Sequence, residues 1–247
     1  MLIDTHCHVH EASYPIDSDE ARERARQAGV EKLICVGTDQ QSSLEAVEFA
    51  NTRDGVYASI GVHPHESSHG WGSLNGLNSE KIVAIGEIGL DYYYTHSPRE
   101  IQIEALEAQL HLATNRQLPV IFHVRNAFKD FWPILDNFSS ITGVLHSFTD
   151  TNLTLENALS RGFLIGVNGI SVFTKDKEQQ SMFASIPLDT LLLETDAPFL
   201  TPPPFRGKVN EPAFVKYVAE HHARVRNISY EQLERATFAN ATALFAL

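Results

Sequence analysis

A chain of 247 residues with 31 acidic and 19 basic side chains carries a formal net charge of −12, which excludes a protein that holds nucleic acid on a broad basic surface. Hydrophobic residues make up 43% of the chain, enough for a sizeable core, and no run approaches the ~18 apolar residues needed to span a bilayer. Two cysteines, Cys7 and Cys35, are too few for a disulfide framework, and the start of the chain lacks the layout of a signal peptide, so a cytoplasmic protein with no membrane partner is expected.

Eight short apolar runs read as strands: MLIDT at 1–5, EKLICVG at 31–37, GVYASIGV at 55–62, KIVAIGE at 81–87, PVIFH at 119–123, TGVLH at 142–146, GFLIGV at 162–167 and TLLLET at 190–195. Most are continuous rather than alternating, as in parallel strands buried on both faces. In the first, residues two apart share a face, so His6, His8 and His10 lie on one side and Cys7 and Val9 on the other. Helical patterns fill the gaps. Over 99–117, Ile103, Leu106, Leu110 and Ala113 form a single apolar stripe. The last helix opens with Ser229 and Gln232 at capping-box spacing and carries Leu233, Ala236, Leu244 and Phe245. Strand starts fall mostly about 20 to 35 residues apart, the length of a βα repeat. Eight such repeats predict a (β/α)₈ TIM barrel, an α/β fold spanning 1–247 as a single domain. An open doubly wound sheet would favour a Gly-rich phosphate loop after the first strand, and none appears there.

Barrel enzymes place their working residues at the C-terminal ends of the strands. Those ends hold Asp4, His6 and His8; His63 and His65; Glu87 and Asp91; His123, Arg125 and Asn126; His146; and Glu194 and Asp196. Of 12 histidines, six occupy such positions. Left without an ion, a buried polar cluster of this kind would carry unpaired groups costing roughly 1–3 kcal/mol each. Four histidines and two carboxylates exceed what one tetrahedral ion needs and suit two ions about 3.5–4 Å apart. The expected assignment gives His6, His8 and Asp196 to one ion and His123 and His146 to the other, with Glu87 bridging.

Other residues take quieter roles. His10 lies past the strand end, as a loop or supporting residue. Cys7 and Cys35 pack in the core. Asp4 orients His6 or His8, and Glu194 supports the site by hydrogen bonding. Tyr92, Tyr93 and Tyr94 either line a cleft or pack.

The motifs DTHCH at 4–8, GVHPH at 61–65, GEIGLDYY at 86–93, PVIFHVR at 119–125, LHSF at 145–148, LLLETDAPFLTPPPFRGKVNEP at 191–212 and ATFANATALF at 236–245 together resemble the TatD family of metal-dependent hydrolases, relatives of the amidohydrolase superfamily. The resemblance implies a TIM barrel with a two-metal site acting as a deoxyribonuclease. Its metal positions fall on His6, His8, Glu87, His123, His146 and Asp196. It places His63 and His65 in a substrate-side element, His63 near the phosphate, and makes Arg206 and Lys208 substrate-side cations. The chain departs from the family where members often carry Arg-Asp-Ala, here Arg125-Asn126-Ala127, and where they often carry His-Cys-Phe-Ser-Gly, here His146-Ser147-Phe148-Thr149-Asp150. Neither departure removes a ligand; both bear on substrate preference.

The expected chemistry is phosphodiester hydrolysis of the 3′–5′ exonuclease type by a metal-activated water, with Glu87 and Asp196 catalytic and Asp196 as general base. His63, His65, Arg125 and Arg206 would meet the substrate. Imidazole-rich sites suit Zn, Mn, Fe or Ni better than Mg, whereas the family is usually described as magnesium-dependent; the identity of the two divalent ions stays open. The acidic total favours single-stranded DNA or frayed 3′ ends as substrate, and no obligate protein partner is inferred. A lactone, amide or aminoacyl ester hydrolysed at the same site is the alternative. A scaffold that keeps its metals structurally is a further one, disfavoured because all six ligands are present.

Overall fold

The computed structural model describes residues 1–94 and 96–247. Eight strands follow the eight apolar runs: β1 Leu2–Cys7, β2 Val30–Val36, β3 Val56–Ile60, β4 Ile82–Asp91, β5 Val120–Arg125, β6 Gly143–Leu145, β7 Leu164–Val167 and β8 Leu191–Leu193. They run parallel in one sheet whose order is the chain order, β1 to β8. Cys7 at the end of β1 bridges to Ala197, just past β8. With helices alternating between strands, this is a (β/α)₈ barrel. Three strands outrun their sequence signal: β1 continues to Cys7, β4 continues past Glu87 to Asp91, and β5 continues past His123 to Arg125. The extra length of β4 is paired: Gly89, Leu90 and Asp91 stand opposite His123, Val124 and Arg125. Gly89 is required there, because a Cβ would sit 1.8 Å from the carbonyl oxygen of His123.

Contacts divide the chain into two compact units, Met1–Cys35 with His146–Leu247, and Val36–Leu145. In the first, the helix Tyr230–Phe245 starts where expected. Ser229 accepts from the Gln232 N–H at 3.1 Å, and Leu233, Thr237, Ala241 and Phe245, four residues apart, are buried. Leu2, Ile34, Leu191 and Val218 are fully enclosed in this unit.

In the second unit, the helix Arg99–Arg116 ends at Gln117, which takes a left-handed φ of 55°. Leu106, Leu110 and Ala113 are buried as the stripe predicts, and Ile103 is half-buried. Two glutamines on the same helix are buried as well. Gln102 accepts from the Asp91 N–H at 2.9 Å and donates to the Asp91 carbonyl at 3.1 Å. Gln109 does the same for Val62, at 2.7 and 3.1 Å. Each amide satisfies a backbone pair at the edge of the functional region, which an apolar side chain could not do. Among the described residues, no helix is long and apolar enough to cross a membrane.

Candidate metal centre

In the first unit, β1 delivers His6 and His8 with their Nε2 atoms 3.3 Å apart. Both are buried. Cys7 and Val9 turn the other way and are enclosed, Cys7 directing its thiol to the Ile34 carbonyl at 3.5 Å. Asp196 follows β8 in a left-handed conformation, φ 59°. Its N–H donates to the His6 carbonyl at 2.9 Å, and the His8 N–H donates to the Ala197 carbonyl at 2.8 Å. Asp196 Oδ1 thereby lies 3.3 Å from His8 Nε2 and 3.6 Å from His6 Nε2. Burial pushes the Asp196 carboxyl up, but the hydrogen bond with His8 and the neighbouring imidazoles outweigh it, so the net shift is downward.

His146 joins this group. Its ring stacks on His6 with centroids 3.9 Å apart. The reason lies in Glu194. Its Oε1 accepts from the Ser147 N–H at 2.7 Å and from Asn168 Nδ2 at 3.1 Å, and it stands 3.3 Å from His146 Nδ1. These contacts draw His146 toward the end of β8. Gly166 makes room, since a Cβ there would lie 2.4 Å from Glu194 Oε2. One ligand atom each from His6, His146 and Asp196 falls within a span of 4.8 Å.

Asp4 Oδ1 accepts from the His6 N–H at 3.4 Å. Its carboxylate also accepts from the Thr195 N–H at 2.8 Å and the Thr195 hydroxyl at 2.6 Å. It ties the backbone at His6 to the turn carrying Asp196. Burial raises its pKa to about 8 against these bonds. His10 is buried, with its ring 6.4 Å from that of His8.

The second unit builds a second group from Glu87, His123 and His63, with ligand atoms again within 4.8 Å of one another. Glu87 is buried on β4, its N–H donating to the Gly37 carbonyl at 2.9 Å. Glu87 Oε1 lies 2.9 Å from His123 Nδ1 and 3.7 Å from His63 Nε2. The other nitrogen of His123, Nε2, lies 3.0 Å from Asp91 Oδ2. Asp91 Oδ2 also faces His65 Nε2 at 2.9 Å, and Oδ1 accepts from the N–H groups of Tyr93 and Tyr94 at 2.8 and 3.1 Å. Burial raises the Asp91 carboxyl, yet the His123 bond and the two backbone donors bring it below the ordinary range. Burial lowers the His65 pKa despite the adjacent Asp91.

His63 sits close enough to count as a ligand, but its tautomer argues otherwise. Its Nδ1 accepts from the His65 N–H at 3.1 Å. A neutral imidazole that accepts at one nitrogen carries its proton on the other. His63 therefore presents an N–H toward Glu87.

Among the cations, Arg125 lays its guanidinium 3.9 Å from the centre of Tyr93. Arg206 lies over Phe173 at 3.8 Å and donates to the Thr201 carbonyl at 2.9 Å. Lys208 lies 5.6 Å from the centre of Phe205. Asp150, where family members often carry glycine, accepts from the Thr151 N–H at 2.8 Å and the Thr154 hydroxyl at 2.5 Å. It lies just before Thr151, the N-cap of the helix Asn152–Ser160.

The donor sets fit divalent ions. A carboxylate that takes the N–H of one imidazole nitrogen turns the other nitrogen's lone pair to the metal. Asp91 stands in this relation to His123. Asp91, Gln102, Gln109 and Asn168 had no assigned role in the sequence. Asp91 and Asn168 each close an apolar strand, which is the signal available for them.

A barrel with two imidazole–carboxylate groups at its strand ends defines a metal-dependent hydrolase. The profile of the TatD related DNase family matches residues 3–246. The metal-dependent hydrolase YabD of Bacillus subtilis is 39% identical over 256 residues, covering 100% of both chains. The 3′-5′ ssDNA/RNA exonuclease TatD of Rahnella is 39% identical over 238 residues, covering 91% of this chain and 90% of that one. The crystal structure of the TatD homologue YjjV from Escherichia coli superposes with a TM-score of 0.89 at 30% identity, covering 100% of this chain and 98% of that one. The chain belongs to the TatD family.

Proposed function

We propose that this hydrolase cleaves phosphodiester bonds of DNA, working inward from the 3′ ends of single strands with two divalent ions, Mg, Mn or Zn. His6, His8, His146 and Asp196 would hold one ion, and Glu87 and His123 the other. The bound ions would supply positive charge to the phosphate and lower the pKa of a water molecule.

The chain's own side chains do the rest. Asp196, anchored through its backbone to His6, takes the proton of the attacking water. His63 donates its Nε2–H to a phosphate oxygen, where negative charge grows in the transition state. His65, hydrogen-bonded to Asp91, lines the same element. Arg125 and Arg206 meet the strand. The acidic total is compatible with this role because positive charge is concentrated at the ions rather than spread over a surface.

The observation that carries the reading is the imidazole of His123 oriented by Asp91, beside the separate cluster of His6, His146 and Asp196, in a chain similar to relatives named as 3′-5′ ssDNA/RNA exonucleases. The test is digestion of end-labelled single-stranded and duplex DNA, with and without chelator. Stepwise shortening from the 3′ end, abolished by chelator, is the expected result. Turnover of lactones or amides with no cleavage of DNA would overturn it.

A further inference from the structure

The turn leaving β4 holds two tyrosines in the open. Tyr93 is 55% exposed and Tyr94 44%, whereas Tyr92 beside them is half-buried and donates to Asp130 at 3.0 Å. The two open rings meet edge to face with centroids 4.7 Å apart. Arg125, at the end of β5, lies 3.9 Å from the centre of Tyr93 and 5.1 Å from that of Tyr94. Two exposed aromatics backed by a guanidinium form the surface on which unpaired bases stack.

The pair is tied to the ligand group by one side chain. Asp91 Oδ1 holds the Tyr93 and Tyr94 N–H groups, and Asp91 Oδ2 faces His123 and His65. Tyr94 also meets the His65 ring at a centroid distance of 5.5 Å. The ring positions are thus fixed relative to His123. In a chain of net charge −12, stacking is a source of affinity for a nucleic acid that does not depend on surface charge.

We propose that Tyr93, Tyr94 and Arg125 form a stacking platform for an unpaired nucleobase next to the phosphodiester bond that is cleaved. This rests on the phosphodiesterase reading above. The base lies on a tyrosine ring or on the guanidinium, and the platform reads its presence rather than its identity, because every base offers a π-face.

The test compares kcat/KM for a single-stranded oligothymidylate with that for the same strand whose 3′-terminal nucleosides are replaced by tetrahydrofuran abasic units. Wild type prefers the base-bearing strand by about 5- to 150-fold, the loss expected from removing a stacked base. Tyr93→Ala and Tyr94→Ala each shrink that preference, and Tyr93→Phe, which keeps the ring, retains it. A substitution that only disturbs the fold lowers both rates together and leaves the ratio at its wild-type value. An unchanged ratio in both alanine variants overturns the platform while the phosphodiesterase reading stands. A wild-type enzyme that cleaves neither strand overturns that reading and the platform with it.

Discussion

His123 and Asp91 are joined by a 3.0 Å contact between Nε2 and Oδ2, which leaves Nδ1 of the same ring facing Glu87 at 2.9 Å. The carboxylate decides which nitrogen of His123 carries the proton. Asp91→Asn removes the charge and allows the amide to present either donor or acceptor to the ring. Losing such an orienting partner costs about 10- to 100-fold in metal affinity. Titration calorimetry with Mn or Zn is expected to show that loss for one ion and not for the other. Affinity equal to wild type for both ions would mean that Asp91 serves only the turn carrying Tyr93 and Tyr94.

Glu194 places its charge 3.3 Å from His146 Nδ1 and holds the Ser147 N–H and Asn168. Glu194→Gln keeps the shape but turns part of the acceptor into a donor. We expect weaker binding of the ion assigned to His6, His146 and Asp196, again by about 10- to 100-fold. Asn168→Ala removes only one donor to Glu194 and is expected to have a smaller effect in the same titration.

His63 separates two roles that distance alone leaves together. As an N–H donor to the phosphate, His63→Ala lowers kcat by about 100- to 1,000-fold and leaves the ion content of the purified protein unchanged. Were it a ligand, elemental analysis of the variant would show a metal deficit.

The clamp of Gln102 on Asp91 is a stability element. Gln102→Leu leaves the buried Asp91 N–H and carbonyl without their amide partner, at a cost of about 1–3 kcal/mol for each group left unpaired. Urea denaturation is expected to show a lower midpoint at unchanged slope. Gln109→Leu, which strips the Val62 pair of its partner in the same way, is expected to behave alike. A midpoint within error of wild type for both would contradict this role for the helix.

Away from the ligand groups, His222 is fully buried. Its Nε2 lies 2.9 Å from the Ser171 hydroxyl, and Arg226 donates to its Nδ1 at 2.6 Å. Burial, then the charge of Arg226 and the neighbouring His221, holds its pKa well below the usual value. The unfolded chain, with a histidine pKa of about 6.5, takes up the proton more readily than the folded one. This contribution to stability is therefore complete above that pH and declines as pH falls below it, by about 1.4 kcal/mol per unit at its steepest. His222→Gln is expected to flatten the decline in denaturation experiments between neutral and mildly acidic pH. Parallel wild-type and variant curves would show that His222 does not carry it.

The barrel was legible because parallel strands buried on both faces are written as continuous apolar runs, and the ligand candidates were legible because they close those runs. What the runs could not show was which neighbour each polar side chain meets. Glu194 was readable as a supporting carboxylate, but not as the group that turns His146 toward His6. Asp4 was readable as a partner of His6, whose N–H it accepts, but not as a partner of Thr195, whose place opposite β1 depends on β8 arriving there. Gln102 and Gln109 sit at helix positions that a hydropathy pattern assigns to solvent. Their burial follows from backbone groups at Asp91 and Val62, which lie outside the helix. Strand β4 outran its signal because Gly89 reads as a break, although here it is the residue that lets β4 stay paired beside His123.

If this chain assembles two divalent-ion sites from side chains at its strand ends, native mass spectrometry of the protein loaded with Mn or Zn tests that most directly. The expected result is two ions per chain in wild type and loss of an ion in Asp196→Ala and in His123→Ala. A folded wild-type chain that holds no ion, or a stoichiometry unmoved by either substitution, would contradict the two-ion site.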